Sequence, residues 1–372
     1  MRFSTLIKHP ADWMTGESGH DAVVLTSRVR LARNLRGESF PGWATKESRI
    51  DVLNRIKEQV EDLSEMKDGF SQELDSLSSL QKQVMVERHL ISREQAARGE
   101  GSAAVVNRKQ TLSLMINEED HLRMQAIRPG LRLSEAYELV SSVDEKLEDR
   151  LEFAFDHELG YVSACPTNLG TGMRASSMLH LPALVLSDQI GQVLQGVGKL
   201  QLAVRGFFGE GTESLGNLFQ ISNQSTLGES ETTIIRRLER VIGDVATYER
   251  NARLRLIEED PEMVFDRVGR AYGTLRHAYV ITSKEALNLL SLLRLGAELG
   301  FFPGEAVSLC DTLLMEIQPA HLQLHTDRKL SPEQRDSIRA EIIRRRLQSL
   351  SAPDMDMAVQ GKEETEAPTD QS

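Results

Sequence analysis

Apolar and polar positions change rhythm several times along the chain, and each change marks an element. Residues 22–34, AVVLTSRVRLARN, open as a strand-like apolar run and then alternate basic with apolar side chains, the period of a sheet with one polar face. Residues 45–66 carry Ile50, Leu53, Ile56, Val60 and Leu63 at helical spacing behind Thr45, a residue suited to cap the first turn. Strand-like pieces follow around 84–91, 103–106 and 111–116, and AARGEGSAA between the first two reads as a flexible loop. Leu133, Ala136, Leu139 and Val140 predict a helix over 133–155. The segment SACPTNLGTGMRASS around Cys165 is rich in turn residues. VRGFFGEGTESLG at 204–216 is a second glycine-rich loop, followed by a short strand-like NLFQIS.

From 229 to about 350 the pattern is almost wholly helical. Ala286, Leu289, Leu290 and Leu293 form one stripe, and Ile338, Ile342, Ile343 and Leu347 another. Beyond Ser351 the period vanishes and acidic residues face Lys362 alone, so a disordered acidic tail is expected over 351–372. The chain is therefore expected to be α+β, with a mixed portion over 1–250, a helical portion over 251–350 and the tail.

Composition narrows the classes. The opening MRFSTLIKHPADWMTGESGHD lacks the uninterrupted apolar stretch of a signal peptide, and runs such as Leu181 to Leu186 are too short to cross a bilayer, so no membrane partner is expected. Two cysteines make no disulfide framework and fit a reducing compartment, the cytoplasm. Cys310, in AVSLCDTLL, has the setting of a packing residue. A net charge of −12 argues against direct nucleic-acid binding. Within this acidic chain, arginines recur inside apolar or glycine-rich sequence (Arg28, Arg30, Arg33, Arg174 and Arg205), where a solubilising charge would be wasted. Such placement suits an anionic ligand.

The usual phosphate-binding devices do not occur. GVGKL at 196–200 lacks the first glycine and the Ser/Thr of a phosphate loop, no HRD or DFG is found, and no His/Cys spacing suits structural zinc. Arg28, Arg30, Arg123, Arg174 and Arg205 come from four segments; guanidinium forks converging on a triphosphate would hold it and offset charge on a transferred phosphoryl group. Each alone also reads as a surface or salt-bridging arginine. Glu118, Glu119 and Asp120 form either a charged turn or a fixed carboxylate that grips a cationic acceptor, with Glu210 a second acid on the glycine-rich loop. Cys165 reads as a buried structural cysteine or as a thiol that a hydroxyl and a cationic ligand would bias to thiolate.

TSRVR at Thr26–Arg30, NEEDHLR at Asn117–Arg123, CPTNLGTGMRAS at Cys165–Ser176 and RGFFGEGTES at Arg205–Ser214 occur in that order. Together they resemble the phosphagen (guanidino) kinase family. The resemblance implies an antiparallel sheet flanked by helices and an ATP site built from Thr26, Ser27, Arg28, Val29 and Arg30, from His89 near the adenine, and from Arg123. It extends that site to Arg174, Ala175, Ser176, Ser177 and Met178, and to Arg205, Gly206, Phe207, Phe208, Gly209 and Glu210. Glu119 would be the catalytic carboxylate with Glu118 beside it, Cys165 would touch the acceptor guanidinium, and Glu210 would be the second carboxylate. Mg²⁺ would be held by nucleotide and water, with no protein metal ligands.

One departure is informative. Small-molecule guanidino kinases carry a helical domain ahead of TSRVR, whereas here only 25 residues precede it and a helical portion follows instead. This arrangement resembles the bacterial protein-arginine-kinase branch, nearly to residue 350. That branch implies ATP-dependent phosphorylation of accessible arginines in proteins, marking for a Clp-type unfoldase–protease, and control of a heat-shock repressor. It also implies a zinc-binding McsA-like activator, a homodimer through the helical portion, and an allosteric phosphoarginine pocket at Arg335, Asp336, Ser337, Ile338, Arg339 and Ala340. RDxxRA alone also reads as a helical run of salt bridges.

Overall fold

The computed structural model of the chain describes residues 1–8, 23–206, 214–326 and 328–356. In chain order the elements are α1 (Phe3–Lys8), β1 (Val24–Arg33), α2 (Lys46–Glu61), β2 (Phe70–Glu73), α3 (Ser79–Glu87), α4 (Arg93–Ala96), β3 (Ala103–Val106), β4 (Leu112–Ile116), β5 (Leu122–Pro129) and α5 (Leu133–Glu148). There follow β6 (Phe155–Asp156), β7 (Gly160–Tyr161), β8 (Met173–His180), α6 (Pro182–Leu186), α7 (Ile190–Lys199), β9 (Leu202–Gly206) and β10 (Leu218–Asn223). The remainder is helical: α8 (Glu231–Glu259), α9 (Pro261–His277), α10 (Ser283–Glu298), α11 (Glu305–Glu316), α12 (Pro319–Gln323) and α13 (Pro332–Arg346). They form two compact units. The first comprises Met1–Leu179, Val193–Arg205 and Gln220–Val245; the second comprises His180–Gln192, Gly206–Phe219 and Ala246–Ser372.

An antiparallel sheet of eight strands, ordered β2-β3-β4-β5-β1-β8-β10-β9, organises the first unit. Its two faces are chemically unlike, and the period-2 alternation of the strands explains why. Val29, Leu31, Leu114, Met124 and Ala126 share one face and are buried. Helix α5 packs on β1 and β5 with Leu133, Ala136, Val140, Val143 and Leu147 inward. On the other face Phe70, Ala104, Val106 and Met115 join Leu6, Met85, Leu90 and Ile91 in a separate apolar cluster. That cluster covers β2, β3 and β4 only.

Parity along β1 also decides the fate of Arg33. Three positions beyond Arg30, it turns to the α5 face, where its Nε and Nη2 bond Asp144 at 3.0 and 2.5 Å. Its Nη1 donates to the carbonyls of Ala32 and Thr171, and its guanidinium lies 3.4 Å from the centre of the Tyr161 ring. The expectation that Arg33 serves an anionic ligand is therefore corrected: it is buried and structural.

The second unit has a helical core of residues from α9, α10, α11 and α13, including Val268, Leu290, Leu293, Leu313, Ile342 and Ile343, joined by Phe301 from the α10–α11 connection. Cys310 is among them, fully buried, and burial pushes its thiol well above the ordinary range, so it packs as expected.

Two expectations about elements change. Residues 84–91 are not a strand: Ser78 and Gln81 form a reciprocal capping box that starts α3, with Val84 and Met85 buried on its inner side. The helix predicted over 133–155 ends at Glu148, and Phe153 instead pairs as a β-bridge with Leu35. The Thr45 cap is present, its side chain accepting from Ser48 N–H. The acidic tail falls, from residue 357 onward, outside the described residues.

Deleting one partner of the Arg33–Asp144 pair leaves a buried charge without its counterion. Asp144→Ala is expected to lower unfolding free energy by about 3–5 kcal/mol in urea titrations, and an Arg33→Met/Asp144→Leu double variant to recover most of it. Equal losses in the single and double variants would show that the pair is not the source of the penalty.

Candidate active site

The face of the sheet left uncovered by the apolar cluster carries the arginines. Arg30 lies directly across from Arg174 on β8 and from Gln125 on β5, Arg28 lies across from Ser176, and Arg123 lies across from Ala32. Paired residues share a face, as do residues two apart along a strand. Arg28, Arg30, Arg123 and Arg174 therefore project from one side of three adjacent strands, together with Thr26, Ser176 and Met178.

Their charges act on one another. Burial, then Arg174 and Arg123, lower the Arg28 guanidinium to about 10. Arg30 is held well below its ordinary value by burial and then by Arg28, Arg123 and Arg174, with Glu118 opposing. Arg174 is lowered by burial and by Arg205 on β9, with Cys165 opposing. These couplings join segments far apart in sequence into one field. Such a concentration of positive charge favours a polyanion. Arg174 also donates to Ser222 of β10 at 3.3 Å.

Not every residue implied by the resemblance is brought to this face. Ser27, Val29, Ala175 and Ser177 alternate to the α5 side and are buried there; Ser27 Oγ lies 3.1 Å from Ser177 Oγ and donates to Gly130 O at 2.8 Å. Arg205 is exposed and Gly206 buried at the end of β9. Phe207, Phe208, Gly209 and Glu210 lie outside the described residues.

Beside the arginines, the β4–β5 hairpin presents the acids. Asn117 turns the chain at φ 55, a conformation asparagine tolerates, and its side chain donates to Arg49 O and Gly101 O. Glu118 is fully buried; burial raises its pKa while Arg123 and a Ser92 hydroxyl bond oppose that. Arg123 spans both acids, reaching Glu118 at 2.5 Å and Glu119 at 3.1 Å. The Glu119 side chain remains 43% exposed, the one acid of the hairpin open to a partner.

Asp120 has a structural role that sequence reasoning, setting it in one run with Glu118 and Glu119, did not separate out. It is fully buried and accepts from Asn34 Nδ2 (2.7 Å), Ser163 Oγ (3.0 Å) and Ala164 N–H (2.8 Å). Ser163 Oγ in turn accepts from Cys165 N–H at 3.2 Å. Asp120 therefore ties the carboxylate hairpin to the cysteine loop. Cys165 is partly exposed with its Sγ 3.0 Å from Thr167 Oγ1. Gln125 was missed: it anchors His89 by donating to its carbonyl at 2.6 Å. The signal for Gln125 was a lone polar residue two positions from Arg123 in an apolar strand.

The RDxxRA motif lies elsewhere, on α13. Arg339 is buried and donates to Ile281 O (3.0 Å) and Ile317 O (3.2 Å) and pairs with Asp336. Ala340 is buried and Ile338 packs against the helical core, while Arg335 and Asp336 are partly exposed and Ser337 is exposed.

An electropositive face beside a carboxylate and a thiol can hold a polyanion against a planar cation, the demand of phosphoryl transfer to nitrogen. The comparisons agree. The ATP:guanido phosphotransferase C-terminal catalytic domain matches residues 51–252, and the protein-arginine kinase McsB C-terminal domain matches residues 261–358. The protein-arginine kinases of Halothermothrix orenii and Moorella thermoacetica are 44% identical over 340 and 344 residues, covering 91% of this chain and 97% of each relative. A lombricine kinase crystal structure has 25% identity and a TM-score of 0.55, over 65% of this chain and 71% of that one. The chain belongs to the ATP:guanido phosphotransferase family. Within that family it is an enzyme of the protein-arginine kinase branch.

Burial and then Arg28 push the His89 imidazole down to about 3. Between pH 6.5 and 3 the unfolded chain therefore binds a proton that the folded ring refuses, and this group costs stability as pH falls through that window. The ring NMR signals of His89 are expected to stay flat from pH 8 to pH 5; an inflection within that range would contradict the assigned environment.

Proposed function

We propose that the enzyme transfers the γ-phosphoryl group of ATP to guanidinium nitrogens of arginine side chains in proteins. The observation that carries the reading is the convergence of Arg28, Arg30, Arg123 and Arg174 on one sheet face beside Glu119 and Cys165. In this reading the arginines, with Arg205, grip the phosphates and offset charge as the bond to the ADP oxygen breaks. His89, neutral, sits near the adenine.

Glu119 orients the acceptor guanidinium in line and takes its proton as the N–P bond forms. Glu118, held by Arg123, fixes the hairpin, and Cys165 flanks the acceptor. Glu210 would supply the second carboxylate. Among the described residues no group of three or more His, Cys, Asp or Glu is placed to hold a metal ion. A site of arginines fits Mg²⁺ carried on the nucleotide's phosphates and water, where it neutralises phosphate charge.

The finer biology follows the branch. Marking of proteins for a Clp-type protease, control of a stress repressor, an McsA-like activator, a homodimer, phosphoarginine sensing through Arg335 and Asp336, and a cytoplasmic location are proposed on the second family match. No helix among the described residues is long and apolar enough to cross a membrane.

The test is labelled Mg·ATP offered to an unstructured, arginine-containing protein beside free arginine, with products mapped by mass spectrometry under neutral conditions. Label on protein arginine is expected, and Glu119→Gln should reduce kcat by about 10²- to 10⁴-fold. Label on free arginine alone, or on serine and threonine, would overturn the reading.

A further inference from the structure

A line of polar groups in the second unit, buried at His180, Ser291 and Arg294, takes no part in the site above. Arg294 of α10 is fully buried; its Nε donates to Asp311 of α11 at 2.8 Å, and Glu298 lies 3.5 Å from its Nη1. That Nη1 is also 3.2 Å from Nδ1 of His180, the last residue of β8. The other ring nitrogen, Nε2, is 2.7 Å from Ser291 Oγ on α10. Ser291 Oγ accepts from Asn217 Nδ2 at 2.8 Å, and Asn288, one turn earlier, accepts the Gly216 N–H at 2.9 Å.

The line has a direction. A guanidinium only donates, so Nδ1 of His180 must accept, and the ring is neutral with its proton on Nε2, aimed at Ser291. Burial, then Arg294 and Arg253, hold the ring pKa well below its ordinary value in keeping with this. Each link thus fixes the next: Asp311 holds the guanidinium, the guanidinium sets the tautomer, and the ring and the Asn217 amide meet at one hydroxyl.

The line ends on an unusual corner. Gly216 and Asn217 have φ of 65° and 53°, and Leu181 N–H closes the far side on Asn217 O at 2.9 Å. A Cβ on Gly216 would meet Leu287 O at 3.0 Å. RGFFGEGTES ends at Ser214 just before this corner, and β10 with Ser222, the partner of Arg174, starts just after it. Apolar residues would fill the same core without the desolvation that buried charges suffer, so such a network earns retention by fixing a geometry.

We propose that His180, Ser291 and Arg294 are positioning residues for phosphoryl transfer, a relay that fixes the Gly216–Asn217 corner from which β10 takes its register. This rests on the phosphotransferase reading above. The test compares Ser291→Ala, Asn217→Gly and their double variant in the full chain. Glycine keeps the left-handed φ at 217 while deleting the amide. kcat and the KM for ATP are measured on an unstructured arginine-containing protein, with thermal unfolding alongside.

Each single variant is expected to lose about 10- to 100-fold in kcat through misplacement. The KM for ATP should stay within about twofold, and the double variant should lose no more than the worse single, since both cut one link. Wild-type kcat in the singles, losses that multiply in the double, or losses confined to the KM for ATP would each overturn the relay. Should Ser291→Ala fail to fold, Asn217→Gly decides alone by the same kcat criterion. A wild-type chain that labels no arginine would instead overturn the phosphotransferase reading itself.

Discussion

Arg30 and Arg174 face each other directly across two hydrogen-bonded strands, with Arg28 and Arg123 two register positions from that pair on the same face. Like charges so placed destabilise a sheet, and burial makes the repulsion worse. The arrangement persists because the other face of the same strands is sealed by α5 and because the ladder fixes every side chain by parity. The site is thus a strained charge distribution, held by a core that does not need it. A polyanion would relieve that repulsion, so binding energy comes from a penalty the fold has already met.

The same rule explains what lies near the arginines. Arg123 pairs with two carboxylates, and its two bonds put Glu118 in the interior and leave Glu119 half-exposed at the rim. Asp120, next in sequence, turns the other way and secures the cysteine loop. Three consecutive acids therefore have three environments, and only the middle one is open to an incoming cation.

Part of this was legible in the sequence. The basic–apolar alternation of 22–34 gives a strand whose Arg28 and Arg30 share a face, and the same parity sends Arg33 to the opposite side, though composition alone grouped it with the others. The helix behind Thr45 and the helical stripes of α10 and α13 follow from their apolar spacing. The misread segment 84–91 had both signals: an apolar run, and a Ser78–Gln81 box that won because it satisfies the first-turn N–H groups. What could not be read was the strand order β5-β1-β8, which alone brings Arg123 and Arg174 beside Arg30. The Asp120–Ser163 and His180–Ser291 contacts were equally hidden, since each joins residues far apart in sequence through burial.

The central claim is that clustered guanidinium charge binds a chain of phosphates. Calorimetric titration of ATP, ADP and AMP into the protein and into Arg30→Met tests it directly. Affinity should fall by about tenfold or more with each phosphate removed, and Arg30→Met should bring ATP close to the ADP value, as expected for charge-assisted hydrogen bonds. AMP binding as tightly as ATP, or an Arg30→Met variant with undiminished ATP affinity, would contradict it.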